Sequence, residues 1–371
     1  MRHPAATGAL ALLVACAPAV APDPDQAPAA SWTERPNEAA THFRSWHGPD
    51  AEALLVLGPS ADTLARLLIT TADPAPAGPC GGAWTTLRPG DRGMVLLSTT
   101  HTAYIAALRA VPRVSACAWP DRQRDSTMRA ALAAGATAGL AEGEGTRLEQ
   151  LTALDPALVL HHPFGGGVDR LPPQHVAVPV CEYLEPHPLG RAEWLRFFGV
   201  LTGTVATADS LYAAIAARYR GAVRTAGPDA PLVFIGSAWR GVWSVPAGNS
   251  LMARLVADAG GRYRYADRIA GGNIDLPLEV VMADAHSCTH WGVLADVPAL
   301  RTAADLPGVD ARMLNSPAFR TGTVFVANSA EADLFGRAML EPDVLLTDLQ
   351  AALDPAGHPA HRPTYFRRLP Q

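Results

Sequence analysis

The chain of 371 residues contains no lysine, so all 30 of its Lys and Arg positions are arginine. Its net charge of −5 at pH 7 provides no basic field for nucleic acid or for an acidic membrane surface. The sequence also lacks the GxSxG nucleophile elbow, the GxxxxGK[ST] phosphate loop and the HExxH zinc helix. We therefore expect neither a nucleic-acid-binding protein nor an enzyme.

Cysteine is scarce and widely spaced. Cys16 stands apart, and the other four show no CxxC or similar metal-binding spacing; they are Cys80, Cys117, Cys181 and Cys288. These four residues form disulfides in an oxidising compartment or remain as buried free thiols, and the sequence leaves both alternatives open.

No apolar run is long enough for a membrane-spanning helix. The run 5–15 follows Arg2 and has the length of a signal-peptide core, so residues 1–15 are predicted to be a signal peptide. Leu13-Val14-Ala15-Cys16 resembles the lipobox of bacterial lipoproteins, which implies a lipidated Cys16 as membrane anchor. The alternative is an ordinary signal peptide cut nearby. Residues 16–36 are rich in Ala, Pro and Asp and predict a flexible tether.

With 49% hydrophobic and 18% charged residues, the remaining chain is globular and long enough for two cores. Strand-like and helical segments alternate on both sides of the stretch 182–224, which itself has helical spacing on either side of Thr202-Gly203-Thr204. The pattern predicts an α/β fold with two Rossmann-like lobes, mostly parallel sheets, and a cleft between the lobes. The lobes are 37–190 and 227–371, joined by one long helix within 191–226, and 51–90 is a small antiparallel entry element.

The run VPVCEYLEPHPLGRAEWLRFFG resembles the start of the backbone helix in the iron-chelate and vitamin B12 substrate-binding lipoproteins of ABC importers. The resemblance covers residues 41–369. It implies a monomeric protein, exported and lipid-anchored to a bacterial membrane, that captures a ferric siderophore or a related iron chelate and delivers it to a permease with its ATPase. Haem or cobalamin is the alternative ligand, and no cofactor is implied. The alternatives of another class are a surface lipoprotein with a sensory or structural role and, less favoured, an enzyme on this fold.

Ligands of parallel sheets gather beyond the carboxyl ends of the strands, and this rule selects the candidate ligand-binding residues. They are Thr100, His101, Trp119, His162, Phe164 and Tyr183 in the first lobe, and Trp239, Arg240, Trp243 and Asn273 in the second. Thr99, Gly165, Gly166 and Glu182 follow the same strands, and Asn328 ends a further strand of the second lobe.

The segment Trp239–Trp243 is the strongest single indication, because its tryptophans flank a charge and a glycine in a predicted loop. Its arginine suits a carboxylate or catecholate, and the indole rings suit a large flat ligand. If the ligand is haem, Tyr183 and His101 are the candidate axial ligands.

Two glutamates form a weak internal repeat, one in each lobe. Glu149 and Glu279 each lie on a predicted helix that leads into a strand. The resemblance implies that they pair with arginines of the permease, and such charges affect encounter and specificity more than affinity.

His286 and His290 flank Cys288 and are weak metal candidates. A site for a bare metal ion would need further ligands, such as His101 or His162, from the other lobe. The alternative is that they serve in ordinary packing.

Overall fold

The computed structural model describes residues 31–88, 93–141, 144–164, 175–239, 242–302, 305–306 and 311–370. Several residues singled out above lie outside this part of the chain: the signal peptide, Cys16, Gly165, Gly166 and Arg240.

The described chain alternates strands and helices. Its strands are β1 Thr33–Arg35, β2 Phe43–His47, β3 Ala51–Leu57, β4 Thr63–Thr70, β5 Thr85–Leu87, β6 Met94–Leu96, β7 Val114–Cys117, β8 Ala138–Gly139, β9 Leu158–His161, β10 Val176–Pro179, β11 Leu232–Ile235, β12 Ser237–Trp239, β13 Val242–Val245, β14 Arg262–Tyr263, β15 Ile274–Leu276, β16 His290–Ala295, β17 Val324–Asn328 and β18 Phe366–Arg368. Its helices are α1 Thr99–Ala107, α2 Ser126–Ala133, α3 Glu144–Leu154, α4 Pro188–Thr202, α5 Val205–Ala222, α6 Leu251–Asp258, α7 Leu278–Ser287, α8 Pro317–Arg320 and α9 Pro342–Leu353.

Each lobe is built on one mainly parallel sheet, as the alternation of strands and helices predicts. The first lobe has the strand order β10-β9-β6-β7-β8 with every pairing parallel. The second has the order β14-β11-β16-β17-β18, in which only β18 is antiparallel. Both are doubly wound orders, and each has a point where the strand order reverses.

The N-terminal sheet is larger than the entry element that the sequence indicates. It contains five strands in the order β1-β2-β3-β4-β5, and only the β4–β5 pairing is parallel. Within 51–90 the sequence indicates two strands, at 51–60 and 82–90, which correspond to β3 and β5. One face of the sheet packs Phe43, Leu54 and Val56 into the main core, which fixes the sheet to the body of the protein.

Two helices follow the last strand of the first lobe. The spacing of Leu189, Leu195 and Phe198 predicts a helix, and all three are buried on α4. Gly203 ends this helix at φ 68°, a conformation that glycine adopts readily. A Cβ at Gly199 would lie 2.5 Å from that of Ala208, so glycine here permits close packing of α4 and α5.

Buried carboxylates fix residues 38–42, which connect β1 to β2 in the N-terminal sheet. Glu193 on α4 accepts hydrogen bonds from the backbone N–H groups of Glu38, Ala39 and Ala40 at 2.7–2.8 Å. Glu185, just before α4, accepts from the backbone N–H groups of residues 41 and 42 and from Trp194 Nε1. We call Glu185 and Glu193 the N-terminal anchor, because together they satisfy five consecutive backbone donors.

None of the four described cysteines forms a disulfide. Cys80 is an exposed free thiol, and Cys117, Cys181 and Cys288 are buried free thiols. Burial raises the pKa of Cys117 and Cys288 to about 11, so both are protonated at neutral pH. Within the described part of the chain, no helix has the length and apolar character needed to cross a membrane.

Candidate functional site

The strand order of the first lobe reverses between β6 and β9, and the candidate site lies at the carboxyl ends of these two strands. Ser98 and Thr100 follow β6, and His162 follows β9. Ser98 caps α1, with its hydroxyl accepting from the backbone N–H of Thr100, and the same hydroxyl lies 3.0 Å from His162 Nε2. The reversal therefore brings together residues that are more than sixty positions apart.

A pocket of about 360 Å³ opens at this place, a volume in the range of small-molecule sites. We call it the strand-end pocket. It is lined by Ser98, Thr99, Thr100, His162, Glu182, Tyr183 and Arg191 of the first lobe and by Phe335 and Met339 of the second. Because both lobes contribute, the pocket lies in the cleft between them.

Three rings form an aromatic wall beside the strand-end pocket. His162 and Phe164 stack in parallel with ring centroids 5.1 Å apart, and Tyr183 meets both rings edge-on at 5.2 and 4.9 Å. Phe164 is 60% exposed, so a large apolar face is open to solvent. Burial and the neighbouring Cys181 and Glu182 raise the pKa of Tyr183 to about 12, so its hydroxyl is protonated at neutral pH. This wall provides stacking surface with a hydrogen-bond donor at its edge.

His162 also belongs to a polar cluster with His101 and Glu182, both of which are buried behind the wall. Glu182 is 1% exposed and its Oε1 accepts from Thr100 Oγ1 at 2.7 Å, while Oε2 has no hydrogen-bond partner within the described structure. His101 is fully buried, and neither ring nitrogen is paired with another described group. Burial raises the pKa of Glu182 and, together with the adjacent His162, holds the pKa of His101 well below its usual value. His101 is therefore neutral at physiological pH.

Contacts between the lobes continue beside the strand-end pocket. Arg124 of the first lobe donates to the carbonyl oxygens of Ser329 at 2.5 Å, Ala330 at 3.0 Å and Glu331 at 3.3 Å. A wider groove of about 1520 Å³ runs along α1, α2, α5 and the segment 331–341. Its charged side chains are of both signs, and several pair with one another, as Arg337 does with Glu341. We place the site in the strand-end pocket, where unpaired polar groups and exposed rings converge.

The structure brings five of the ten predicted ligand-binding residues together. Thr100, His162 and Tyr183 line the strand-end pocket, Phe164 stacks beside it, and His101 lies behind it, fully buried. The complete burial of His101 removes it as an axial ligand for haem, because a flat macrocycle cannot reach its ring.

The other predicted residues lie elsewhere or outside the described side chains. Trp119 is 39% exposed after β7 with Arg122 over its ring, and Asn273 is exposed before β15. Trp243 is 3% exposed and packs against Phe234 and Trp291 in the core. The predicted loop around it is a β12–β13 hairpin, in which the backbone of Trp239 pairs with Val242. We therefore leave Trp243 out of the proposed site.

The remaining predicted positions do not line the strand-end pocket. Glu149 on α3 and Glu279 in the first turn of α7 are both exposed. His286 is exposed with Nδ1 2.6 Å from the carbonyl oxygen of Met282, and His290 is buried with Nδ1 3.0 Å from Thr289 Oγ1. Neither histidine belongs to the one group of three or more potential metal ligands found among the described residues. Asn328 is buried and bonds the backbone of Val297, which makes it a structural residue.

Four lining residues were missed by the sequence analysis: Ser98, Arg191, Phe335 and Met339. Ser98 precedes the hydroxyl pair that was selected, so the strand-end rule could have included it. Arg191 was assigned to the helix that joins the lobes, and Phe335 and Met339 follow β17 by several residues. For these three, no periodicity or motif indicates a position in the cleft.

No protein-family model matches the sequence, and no curated protein matches it either. Solved structures do resemble the fold. A periplasmic haem-binding protein from Pseudomonas aeruginosa is 15% identical, with a TM-score of 0.57 over 76% of this chain and 98% of that one. An ABC-type Fe³⁺-hydroxamate transport protein from Saccharomonospora viridis is 19% identical, with a TM-score of 0.52 over 71% of this chain and 93% of that one. An ABC transporter substrate-binding protein from Listeria monocytogenes is 16% identical, with a TM-score of 0.56 over 72% of this chain and 100% of that one.

These similarities define the fold. The chain has the two-lobed α/β fold seen in periplasmic solute-binding proteins of ABC importers, and the match spans nearly the whole length of the three structures named. At identities of 15–19% the likeness carries no information about the ligand. The function has to be argued from the site.

Proposed function

We propose that the protein is the substrate-binding component of an ABC importer and that it captures a ferric siderophore or a related iron chelate. The observation that carries this proposal is the strand-end pocket, which lies between the lobes at the reversal point of the first sheet. The fold is that of solute-binding proteins, and the similar solved structures include proteins named for haem and for Fe³⁺-hydroxamate.

The aromatic wall favours a chelate over haem as the ligand. Phe164 and Tyr183 offer apolar faces and a hydroxyl donor to the flat rings or amides of a siderophore. Of the two predicted axial ligands for haem, His101 is buried, and the raised pKa of Tyr183 opposes the tyrosinate form that binds haem iron. His162, which lines the strand-end pocket, is the axial ligand that haem would use here, so the binding experiment includes haem. Arg191, which lines the strand-end pocket, supplies positive charge for an anionic chelate.

A binding panel tests this proposal. We expect isothermal titration calorimetry to show one equivalent of a ferric hydroxamate or catecholate bound and released chemically unchanged. Phe164→Ala and Tyr183→Ala should each weaken binding about 10- to 30-fold, that is, by about 1.4–2 kcal/mol. Trp84→Ala, which removes a ring from the N-terminal sheet, serves as the control and should bind as the parent does. Binding of haem or cyanocobalamin alone would replace the chelate, chemical turnover would indicate an enzyme, and no binding at all would favour a sensory or structural role.

We further propose that Glu149 and Glu279 dock the protein on its permease. Both are exposed, one in each lobe, which suits two separated contacts that set the register of docking. The Glu149→Ala/Glu279→Ala double variant should lose chelate uptake in cells while its purified form binds the chelate normally. Asp229→Ala/Asp267→Ala removes two other exposed carboxylates and should transport as the parent does. Normal uptake by the first variant would refute the docking role.

The proposed placement follows from the N-terminal sequence and the fold. We propose an exported monomer, held to a bacterial membrane through a lipidated Cys16 and a tether that ends before β1, because residues 33–35 pair with β2. The lobes should close modestly about the helical connection when the ligand binds, and the contact of Arg124 with residues 329–331 is a contact that such motion would change.

A further inference from the structure

Three potential metal ligands of the first lobe converge behind the aromatic wall. His101 lies in the first turn of α1, His162 follows β9, and Glu182 lies in the turn after β10. One ligating atom from each of them can be chosen so that all three lie within 4.8 Å of one another. Two imidazoles and one carboxylate are a donor set that transition metals bind in proteins.

The donor atoms of His101 and one carboxylate oxygen of Glu182 have no hydrogen-bond partner among the described residues. These atoms are both ring nitrogens of His101 and Oε2 of Glu182, and all three are buried. A buried polar atom left unpaired costs about 1–3 kcal/mol, and native proteins contain few of them. Three such atoms within one cluster are therefore not explained by ordinary packing.

The surrounding groups hold the cluster in an orientation that suits a ligand. Thr100 donates a hydrogen bond to Oε1 of Glu182. The other oxygen, Oε2, lies on the side of His162, 3.8 Å from its Nδ1. Ser98 lies 3.0 Å from the other nitrogen of that ring, Nε2, as the outer partners of metal-bound histidines do. Nδ1 of His162 also makes a long contact of 3.3 Å to the carbonyl oxygen of Val180, which a metal ion would replace.

Arg191, a fixed cation near Glu182 in the described part of the chain, does not pair with the carboxylate. Arg191 lies close enough to Glu182 to interact electrostatically, yet its Nη2 donates to the carbonyl oxygen of Tyr183. No hydrogen bond joins Arg191 to Glu182 in the described part of the chain. Oε2 therefore remains available for a ligand.

We propose that His101, His162 and Glu182 bind one divalent transition-metal cation of the Zn²⁺ or Fe²⁺ class. Metal–ligand distances of about 2.0–2.2 Å place tetrahedral donor atoms about 3.4 Å apart, so small side-chain rotations close the present spacing. His162 and Glu182 also line the strand-end pocket, which leaves the open coordination positions facing it. The site is formed by the first lobe alone and does not depend on the identity of the chelate.

Equilibrium dialysis of the full chain against Zn²⁺, followed by metal analysis, tests the proposal. We expect one tightly bound equivalent, and we expect Co²⁺ at the same site to give the visible absorption of a low-coordinate complex. Glu182→Gln and His162→Ala should each weaken Zn²⁺ binding more than about 100-fold. His286→Ala removes an exposed histidine outside the cluster and should leave this equivalent unchanged.

Thermal unfolding keeps the result interpretable if a variant folds poorly. Zn²⁺ should raise the melting temperature of the parent and of His286→Ala, and should not raise that of Glu182→Gln, whose melting temperature without metal serves as the folding control. A Zn²⁺ equivalent that survives in Glu182→Gln and His162→Ala, or the absence of any tight equivalent in the parent, would overturn the proposal. Ferric chelate binding is measured separately, so the metal site and the importer function can fail independently.

Discussion

Glu182 and Glu185 lie three residues apart, and each is only 1% exposed, yet their surroundings differ in kind. Glu185 accepts hydrogen bonds from two backbone N–H groups, a threonine hydroxyl and an indole N–H, so both of its oxygens are satisfied. Glu182 accepts one hydrogen bond from Thr100, and its second oxygen has no partner in the described structure. The same residue type, at the same depth, is thus a structural element in one place and an available ligand in the other.

The fully paired arrangement recurs where segments near the chain ends join the body of the protein. Glu193 accepts three backbone N–H groups of residues 38–40. Asp348 on α9 accepts the backbone N–H groups of Thr364 and Phe366 and lies 2.7 Å from His361 Nε2. Buried carboxylates of this kind replace missing secondary-structure partners, because an irregular segment carries backbone donors that a sheet or helix would otherwise satisfy. Fully paired carboxylates such as Glu193 and Asp348 therefore stabilise the fold, whereas the partly paired Glu182 is available to bind a ligand.

The largest effect should come from removing the N-terminal anchor. Glu193→Ala leaves one buried and two part-buried backbone donors and the guanidinium of Arg196 without their acceptor, so we expect a loss of about 3–5 kcal/mol in the free energy of unfolding. Urea denaturation followed by circular dichroism measures this loss. We expect the same variant to bind metal and chelate in proportion to its folded fraction.

Glu38→Ala is the matched control for this experiment. The Glu38 side chain is 40% exposed and pairs with Arg196 and Arg220, while its backbone N–H still reaches Glu193 after the substitution. An exposed ion pair is worth about 0–1 kcal/mol, so this variant should be nearly as stable as the parent. Equal losses in the two variants would show that the ion pairs, and not the backbone donors, give the N-terminal anchor its effect.

The architecture was predictable because it depends on repeating patterns. The alternation of apolar runs and the helical spacing of Leu189, Leu195 and Phe198 are averages over many residues, and single exceptions do not alter them. The N-terminal sheet was predicted only in part. β1 has only three residues and β2 only five, of which three are polar, so neither shows a clear apolar alternation. β4 has eight mostly apolar residues and pairs with its neighbour β3, so the sequence pattern could have indicated it.

The site was predictable on one side only. The carboxyl ends of strands in the first lobe gave Thr100, His162 and Tyr183, because the strand-end rule applies directly to a doubly wound sheet. The second lobe contributes Phe335 and Met339 from an irregular segment after β17, and such segments have no periodicity. Trp243 was predicted to bind the ligand, because tryptophans that flank a charge and a glycine suggest a binding loop. Its ring instead packs in an aromatic core with Phe234 and Trp291.

The smallest predicted change in stability is that of Glu182→Gln. It is informative because the same substitution at Glu185 should have a different effect. In the presence of a metal chelator, Glu182→Gln should change the free energy of unfolding by less than about 1 kcal/mol, or increase it, since it removes a desolvated charge and keeps an acceptor for Thr100. Glu185→Gln should lose about 2 kcal/mol or more, because its amide N–H₂ replaces an acceptor of backbone N–H groups. Urea denaturation of both variants gives the two values. If Glu182→Gln lost as much as Glu185→Gln, the Glu182 carboxylate would be a structural group, and its unpaired oxygen would no longer indicate a ligand.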